Sequence, residues 1–349
     1  MNVYRVSRLR FLVQTIMLVC LVYLGVWGVR RLRIFDVEPS LPTLSCEYGE
    51  HVAKCYLYDL QSIATRDSQN YYRRLVEPTM FFAALGILIG RMWCGWACPL
   101  GFLQDLLTKL RCRLRLKKIS FADRGRRVLR ALAYALLAAA LFIALVIGWP
   151  GSKLYKYNTA LFRPYCQVCP SRQLVPLIEG KTADFLKIDR FSPVSRFMSY
   201  LSIGFLGVFV VGAFSSRRFW CRLCPLGAIM SVIRLNNFSL LGLKKDIISC
   251  TRCGVCARVC PMDLSRTYLE RAKLGVLDRD CVFCLKCVES CPEERVLRAT
   301  FATVPIFRSS YGYFSKRQSR LTEREAERQL ALSRAVSPEN EKSEVKENV

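Results

Sequence analysis

Eight cysteines near the C-terminal end of the chain fall into two series of one spacing, Cys250-x-x-Cys253-x-x-Cys256-x-x-x-Cys260-Pro261 and Cys281-x-x-Cys284-x-x-Cys287-x-x-x-Cys291-Pro292. Thiolates spaced in this way hold iron–sulfur cubes. Three close cysteines wrap one [4Fe–4S] cluster, and the proline after the fourth turns the chain so that this sulfur reaches the other cluster. Crossed ligation is therefore expected, with Cys250, Cys253, Cys256 and Cys291 on one centre and Cys281, Cys284, Cys287 and Cys260 on the second. Zinc knuckles instead separate two CxxC pairs by a long loop, which is not the pattern here. Clusters of this kind exchange single electrons at potentials from roughly −700 to +450 mV, so spacing alone leaves the direction of flow open.

A second cysteine motif occurs twice. Arg91-Met-Trp-Cys94-Gly-Trp-Ala-Cys98-Pro99-Leu-Gly101 returns as Arg218-Phe-Trp-Cys221-Arg-Leu-Cys224-Pro225-Leu-Gly227, each copy after an apolar stretch. Each ends in Cys-Pro before a helical run, which puts thiolates near a helix N-terminus, where free N–H groups favour an anionic centre. If the copies meet at a pseudo-twofold axis, Cys94, Cys98, Cys221 and Cys224 form a third metal site; two redox dithiols or plain structural packing are the alternatives. Four more cysteines lie in the other loops: Cys46 and Cys55 in one, Cys166-x-x-Cys169-Pro170 in the other. These are read as an outer redox site, either a metal cluster or exchangeable disulfides, against a default of static disulfides. Cys20 and Cys112 complete the eighteen and are read as packing or surface residues.

The elements that must position these sulfurs are long apolar helices. Residues 11–29, 131–149 and 197–214 approach the ~20 needed to cross a bilayer. A fourth stretch, 79–90, is interrupted by Arg91, which can snorkel to the interface, and follows Pro78, which suits a helix start. The net charge of +26 invites a nucleic-acid reading, but its distribution argues otherwise. Residues 92–130 carry ten Lys/Arg against Asp105 and Asp123, whereas 30–78 hold seven of each sign. That asymmetry is the positive-inside pattern and places the 92–130 loop and both termini in the cytoplasm of a bacterial inner membrane. Trp93, Trp96 and Trp220 are read as interfacial anchors. The expected fold is an α-helical membrane protein of four transmembrane helices in two repeat halves, with a small α+β bacterial-type 2[4Fe–4S] ferredoxin domain. The membrane domain spans 1–240 (helices at about 11–29, 76–93, 131–149 and 197–214), the ferredoxin domain 241–300, and a charged, largely disordered tail 301–349 with a short helix near 321–335.

His51 is the lone histidine, and there is no C-x-x-C-H haem motif or phosphate-cradling glycine loop, so haem relays and ATP-driven chemistry are not indicated. Four spans, Trp-Cys-Gly-Trp-Ala-Cys-Pro, a later Trp-Cys-Arg-Leu-Cys-Pro and the double ferredoxin series together resemble the NapH-like polyferredoxins over about residues 11–297. These are membrane components of quinol dehydrogenase systems, related to the iron–sulfur membrane proteins that accompany nitrous-oxide reductase and cytochrome oxidase assembly. The resemblance implies a quinone and redox protein partners in a membrane complex, with electrons delivered to an extracytoplasmic acceptor. The chain departs from the family pattern at Cys221/Cys224, one residue shorter than Cys-x-x-x-Cys-Pro, and in its outer CxxCP motif. Two cubes, and one or two further clusters, make electron transfer the leading function. The alternative is a maturation or regulatory protein that reduces a metal or disulfide outside the cytoplasm.

Overall fold

A computed structural model describes residues 5–22, 55–62, 76–149, 151, 161, 163–178, 180–182, 185–189, 192–235 and 240–311. Most of them are helical: α1 Arg5–Val22, α2 Tyr56–Ser62, α3 Glu77–Leu88, α4 Met92–Trp96, α5 Pro99–Arg113, α6 Asp123–Gly148, α7 Pro164–Val168, α8 Ser171–Ile178, α9 Pro193–Ser215, α10 Trp220–Leu223 and α11 Pro225–Leu235. A smaller part follows, with β1 Leu241–Lys245, α12 Val255–Arg258, α13 Arg266–Leu269, α14 Lys286–Glu289, β2 Leu297–Phe301 and β3 Val304–Arg308.

Among the described residues two helices, α6 and α9, are long and apolar enough to cross a membrane. Both outrun the stretches expected from apolarity. Helix α6 begins eight residues early because Asp123 suits its first turn, and α9 begins at Pro193 behind a capping box in which Ser192 and Ser195 satisfy each other's backbone N–H. The stretch expected at 76–93 is shorter in the structure: α3 ends at Leu88, and Gly90 (φ 54°) turns the chain into the separate helix α4. The first apolar stretch is helical to Val22, its remainder lying outside the described residues.

The two Cys-Pro copies fold alike. Cys98 precedes α5 in an extended conformation (φ −65°, ψ 119°), and Cys224 adopts nearly the same angles before α11 (φ −66°, ψ 123°). The proline at the first helical position has no N–H to lose, so each motif converts directly from a turn of helix to an extended cysteine and back to helix. Between the copies the helices share a core of Phe82, Ala140, Tyr165, Val168, Met198, Leu226 and Met230, with Tyr56 stacked on Phe82 at 4.0 Å.

In the smaller part the sheet runs β1-β2-β3, all antiparallel, with Leu243 opposite Ala299 and a bulge at Ala299/Thr300. Leu241 and Leu243 face inward, and so does Lys245. This buried ammonium spends its donors on the carbonyls of Thr267, Tyr268 and Glu270 at 2.9–3.2 Å, which ties the sheet to the segment between the two cysteine series. The third strand lies beyond Thr300, in the part read from sequence as tail, and the helix expected near 321–335 lies outside the described residues.

Candidate metal centres

Each C-terminal cysteine series bends at the same two places. Arg252 and Gly254 (φ 58° and 72°) in the first match Phe283 and Leu285 (φ 48° and 59°) in the second, so the left-handed residues stand two and four positions after the leading cysteine. Such turns point backbone N–H groups at sulfur, as in the bonds from Phe283 to Cys281 Sγ and from Leu264 to Cys260 Sγ, both 3.4 Å. One small cavity is lined by Cys250, Cys253, Cys256 and Cys291. Its neighbour is lined by Cys260, Cys281, Cys284 and Cys287, with Cys256 between the two. The chain thus brings the fourth cysteine of each series to the other's cavity.

The donor chemistry of these sulfurs fits a cationic core. Burial, reinforced by Cys284 and Cys281, pushes the Cys260 thiol up to about 12, and burial raises Cys291 to about 11. At neutral pH such sulfurs keep their protons unless metal replaces them. Among the described residues no three Cys, His, Asp or Glu side chains converge on a point that a single metal ion would fill. A cube holds its thiolates farther apart, because the iron–sulfur core stands between them.

The inner motifs meet face to face through a reciprocal exchange of arginines. Arg91 Nη2 donates to the carbonyl of Cys221 at 2.6 Å, and Arg218 Nη1 donates to the carbonyl of Cys94 at 2.8 Å. Both guanidiniums are buried, at 3% and 0% exposure, and each has a carboxylate: Asp280 for Arg91, Asp105 for Arg218. Burial opposes the charge of Asp105, but Arg218 and Arg10 outweigh it and hold the carboxyl well below its usual range.

The smaller part seats against these motifs. Cys94 and Cys221 pack with Cys260, Cys281, Cys284, Met262, Leu264 and Val282 in one cluster. Gly95 makes the approach possible, since a Cβ there would stand 2.1 Å from the carbonyl oxygen of Val282. Trp96 Nε1 donates to the carbonyl of Phe283 at 2.9 Å, and Trp220 is buried edge-on against Phe205 and Phe209. Trp220 is not the interfacial anchor expected from composition, because packing claims its ring; Trp96 is half-buried, with its indole N–H taken by the ferredoxin domain. Arg222 and Lys118 bind Asp263, and Arg91 and Arg130 bind Asp280, so part of the basic excess near residues 91–130 holds the cysteine-rich domain.

Cys224 is not a member of that cluster. It packs on the core that also holds Cys55 and Cys169, and on the one that holds Phe209 and Trp220. Tyr165 is part of the same core, with Cys55, Cys169 and Cys224 packed against it and Cys166 next to it in the chain. Cys46 lies outside the described residues, as does His51.

Two glutamines play parts that composition does not signal. Gln104 Nε2 donates to Cys221 Sγ at 3.5 Å and to the carbonyl four residues earlier, while its Oε1 accepts from the N–H of Trp220 at 2.8 Å. Gln61 repeats this arrangement on Cys166, donating to Sγ at 3.3 Å and accepting from the N–H of Tyr165 at 2.9 Å. Each buried amide fixes a cysteine and the residue before it. The pattern requires a helix to face a cysteine turn more than 100 residues away, so no local signal reveals it.

The comparisons agree with this geometry. A model described as a 4Fe-4S binding domain matches residues 79–120 and 198–245, once on each inner copy, and a 4Fe-4S dicluster domain matches 243–292. An uncharacterised protein of Methanocaldococcus jannaschii is 31% identical over 222 residues, 63% of this chain and 77% of its own length. The ferredoxin-type protein NapH of Haemophilus influenzae is 26% identical over 228 residues, 62% of this chain and 63% of its own. The chain belongs to the NapH-like membrane polyferredoxin family. The regulatory protein NosR of Pseudomonas aeruginosa is 29% identical over 223 residues, but the match spans only 26% of its length. No solved structure matches. As a NapH-like polyferredoxin the chain is an iron–sulfur protein of the electron-transfer type, and its two long apolar helices accord with a membrane location.

Proposed function

We propose that this polyferredoxin carries electrons between two [4Fe–4S] clusters on its cytoplasmic face and a redox partner on the other side of the membrane. One cube sits on Cys250, Cys253, Cys256 and Cys291, the other on Cys281, Cys284, Cys287 and Cys260. Bound, the cubes supply one-electron exchange; the chain's own part is to hold them apart from water and aim one at the membrane. The carrying observation is the seam in which Cys94 and Cys221 share one packed cluster with Cys260, Cys281 and Cys284. From there Cys224 packs on the core that also holds Tyr165, Cys55 and Cys169. A line of sulfurs therefore runs from the ferredoxin domain into the helical part, which suits a relay that must cross ~30 Å of hydrocarbon.

In this reading Cys94, Cys98, Cys221 and Cys224 act together as an inner redox site, and Cys55, Cys166, Cys169 and Cys46 as the outer one. The chain spans the membrane four times with both ends inside. The contacts of the 92–130 loop with Asp263 and Asp280 put its basic residues on the ferredoxin side, which supports that topology. A quinone serves as donor or acceptor, as the family's membership of quinol dehydrogenase systems suggests. The gathering of outer sulfurs around Tyr165 favours, as second reading, a terminal dithiol that reduces an external metal or disulfide.

Iron and sulfide counts with EPR on anaerobically purified protein test the proposal. Two cubes account for about eight irons per chain, and an inner cluster adds to that number. Cys260→Ala should remove the centre built on Cys281, Cys284 and Cys287; loss of the other centre instead would refute crossed ligation. Cys94→Ser and Cys221→Ser should each remove the same additional iron, and the double variant no more. A wild-type count of about eight would leave the inner cysteines as thiols, and differential alkylation would then show whether the outer ones exchange as disulfides.

A further inference from the structure

A cavity of about 600 Å³ opens between α1, α5 and the ferredoxin domain, within the usual range for small-molecule sites. Its wall is unbalanced in charge. Six lining residues are Arg or Lys and two are acidic. Both carboxylates are already engaged: Asp105 is held by Arg218 and Arg10, and Glu289 accepts from Ser7. Around Asp105 stand four cations, Arg10, Arg218, Lys286 and Lys109.

Arg10 is the decisive residue. It is 6% exposed, it lines the cavity, and its Nε and Nη1 have no hydrogen-bond partner among the described residues. Thr108 Oγ1, on the same wall, is likewise buried and unpartnered. Buried donors of this kind are ordinarily satisfied, and unpartnered guanidinium N–H groups beside a surplus of positive charge are suited to an oxyanion. On one side the cavity borders α1, where Leu9, Phe11 and Leu12 are exposed. On the other it reaches Val259 and Lys286, immediate neighbours of Cys260 and Cys287.

We propose that this cavity binds a phosphate-bearing ligand whose anionic head is held by Arg10, Lys286 and Thr108 beside the inner-facing ferredoxin cysteines. The shared chemistry is a phosphate, from the headgroup of an anionic membrane lipid or from a soluble flavin nucleotide. The proposal goes beyond the electron-transfer reading and stands independently of the number of clusters.

The test uses full-length, cluster-loaded protein. Native mass spectrometry from nanodiscs counts retained phosphatidylglycerol against phosphate-free diacylglycerol, and calorimetry in detergent measures inorganic phosphate and FMN. Selective retention of phosphatidylglycerol, reduced at least tenfold by Arg10→Gln and severalfold by Thr108→Val, supports the site with a lipid source. Binding of phosphate and FMN with the same dependence on these residues, and without lipid retention, supports it with a soluble source. Thr108→Val removes a hydroxyl that bonds nothing, so it keeps the test open if Arg10→Gln fails to fold; unchanged iron content verifies that each variant is intact. Failure of all three phosphate-bearing probes to bind, or binding unaffected by Thr108→Val and by any folded Arg10→Gln protein, overturns the proposal.

Discussion

The two inner copies share an arginine exchange and a Cys-Pro turn, yet they differ by one residue between their cysteines, and the difference lies where the ferredoxin domain is gripped. In the first copy the longer loop offers Gly95 and Trp96, which accept the backbone of Val282 and Phe283 from the second cysteine series. In the second copy Arg222 occupies the shorter loop and donates to the carbonyl of Pro261 at 3.1 Å and to Asp263 at 2.8 Å, at the end of the first series. One copy receives backbone by being small; the other reaches out with charge. The repeat keeps what pairs the halves and varies what each half holds.

The arginines diverge in the same sense. Arg218 takes its carboxylate from α5 within the helical part, whereas Arg91 takes Asp280 from the ferredoxin domain. Asp105→Asn should therefore have the largest effect, about 3–5 kcal/mol, because it strands Arg218 and Arg10 in a buried setting. Thermal unfolding of the detergent-solubilised protein checks this; an unchanged midpoint would mean that water or lipid already screens the cluster. Asp280→Asn should instead release the ferredoxin domain while the helical part keeps its midpoint, which separates the two copies directly.

Gly95→Ala comes next, at about 1–3 kcal/mol from overpacking against a backbone carbonyl that has nowhere to go. Hydrogen exchange at Val282–Phe283 should speed up, while Gly204→Ala, whose added Cβ meets nothing within 4 Å, serves as the silent control. Equal protection in both variants would refute the close approach. Trp96→Phe removes one hydrogen bond to Phe283 and should weaken docking by about 0.5–1.5 kcal/mol by the same readout.

The smallest effect concerns pH. Burial works against the charge of Asp263, but hydrogen bonds from Lys118 and Arg222 outweigh it and hold the carboxyl below its ordinary value. A depressed carboxyl contributes stability that is fully present above its unfolded value, near 3.9, and lost only as pH falls through the lower folded one. Docking should accordingly be flat between about pH 8 and 5, whereas a decline inside that window would assign the contact to another group.

Much of this organisation was legible in the residues alone. Spacing announces the two cysteine series, because a cube accepts sulfurs only at certain separations along a short turn. The internal repeat and the apolar helices were equally visible, since apolarity and Cys-Pro motifs are local properties. Trp220 differs for the complementary reason: an indole beside an apolar stretch reads as an interfacial anchor until something is seen to pack on it. The basic loop reads from sequence as a marker of membrane side, and only the folded chain shows that its Lys118 and Arg130 bind Asp263 and Asp280.

What the sequence by itself determined is therefore the chemistry: which residues carry sulfur, how closely they follow one another, and which stretches prefer lipid to water. Tertiary structure alone decided the pairings across distance. It exchanged Arg91 and Arg218 between copies, set Gln61 and Gln104 on cysteines more than 100 residues away, and packed Cys94 and Cys221 with the ferredoxin cysteines but Cys224 with Cys55 and Cys169. The physical reason is that hydrogen-bond partners and buried charges are matched in space, where two helices or a helix and a turn close on one another, and no periodicity along the chain encodes which of them will meet.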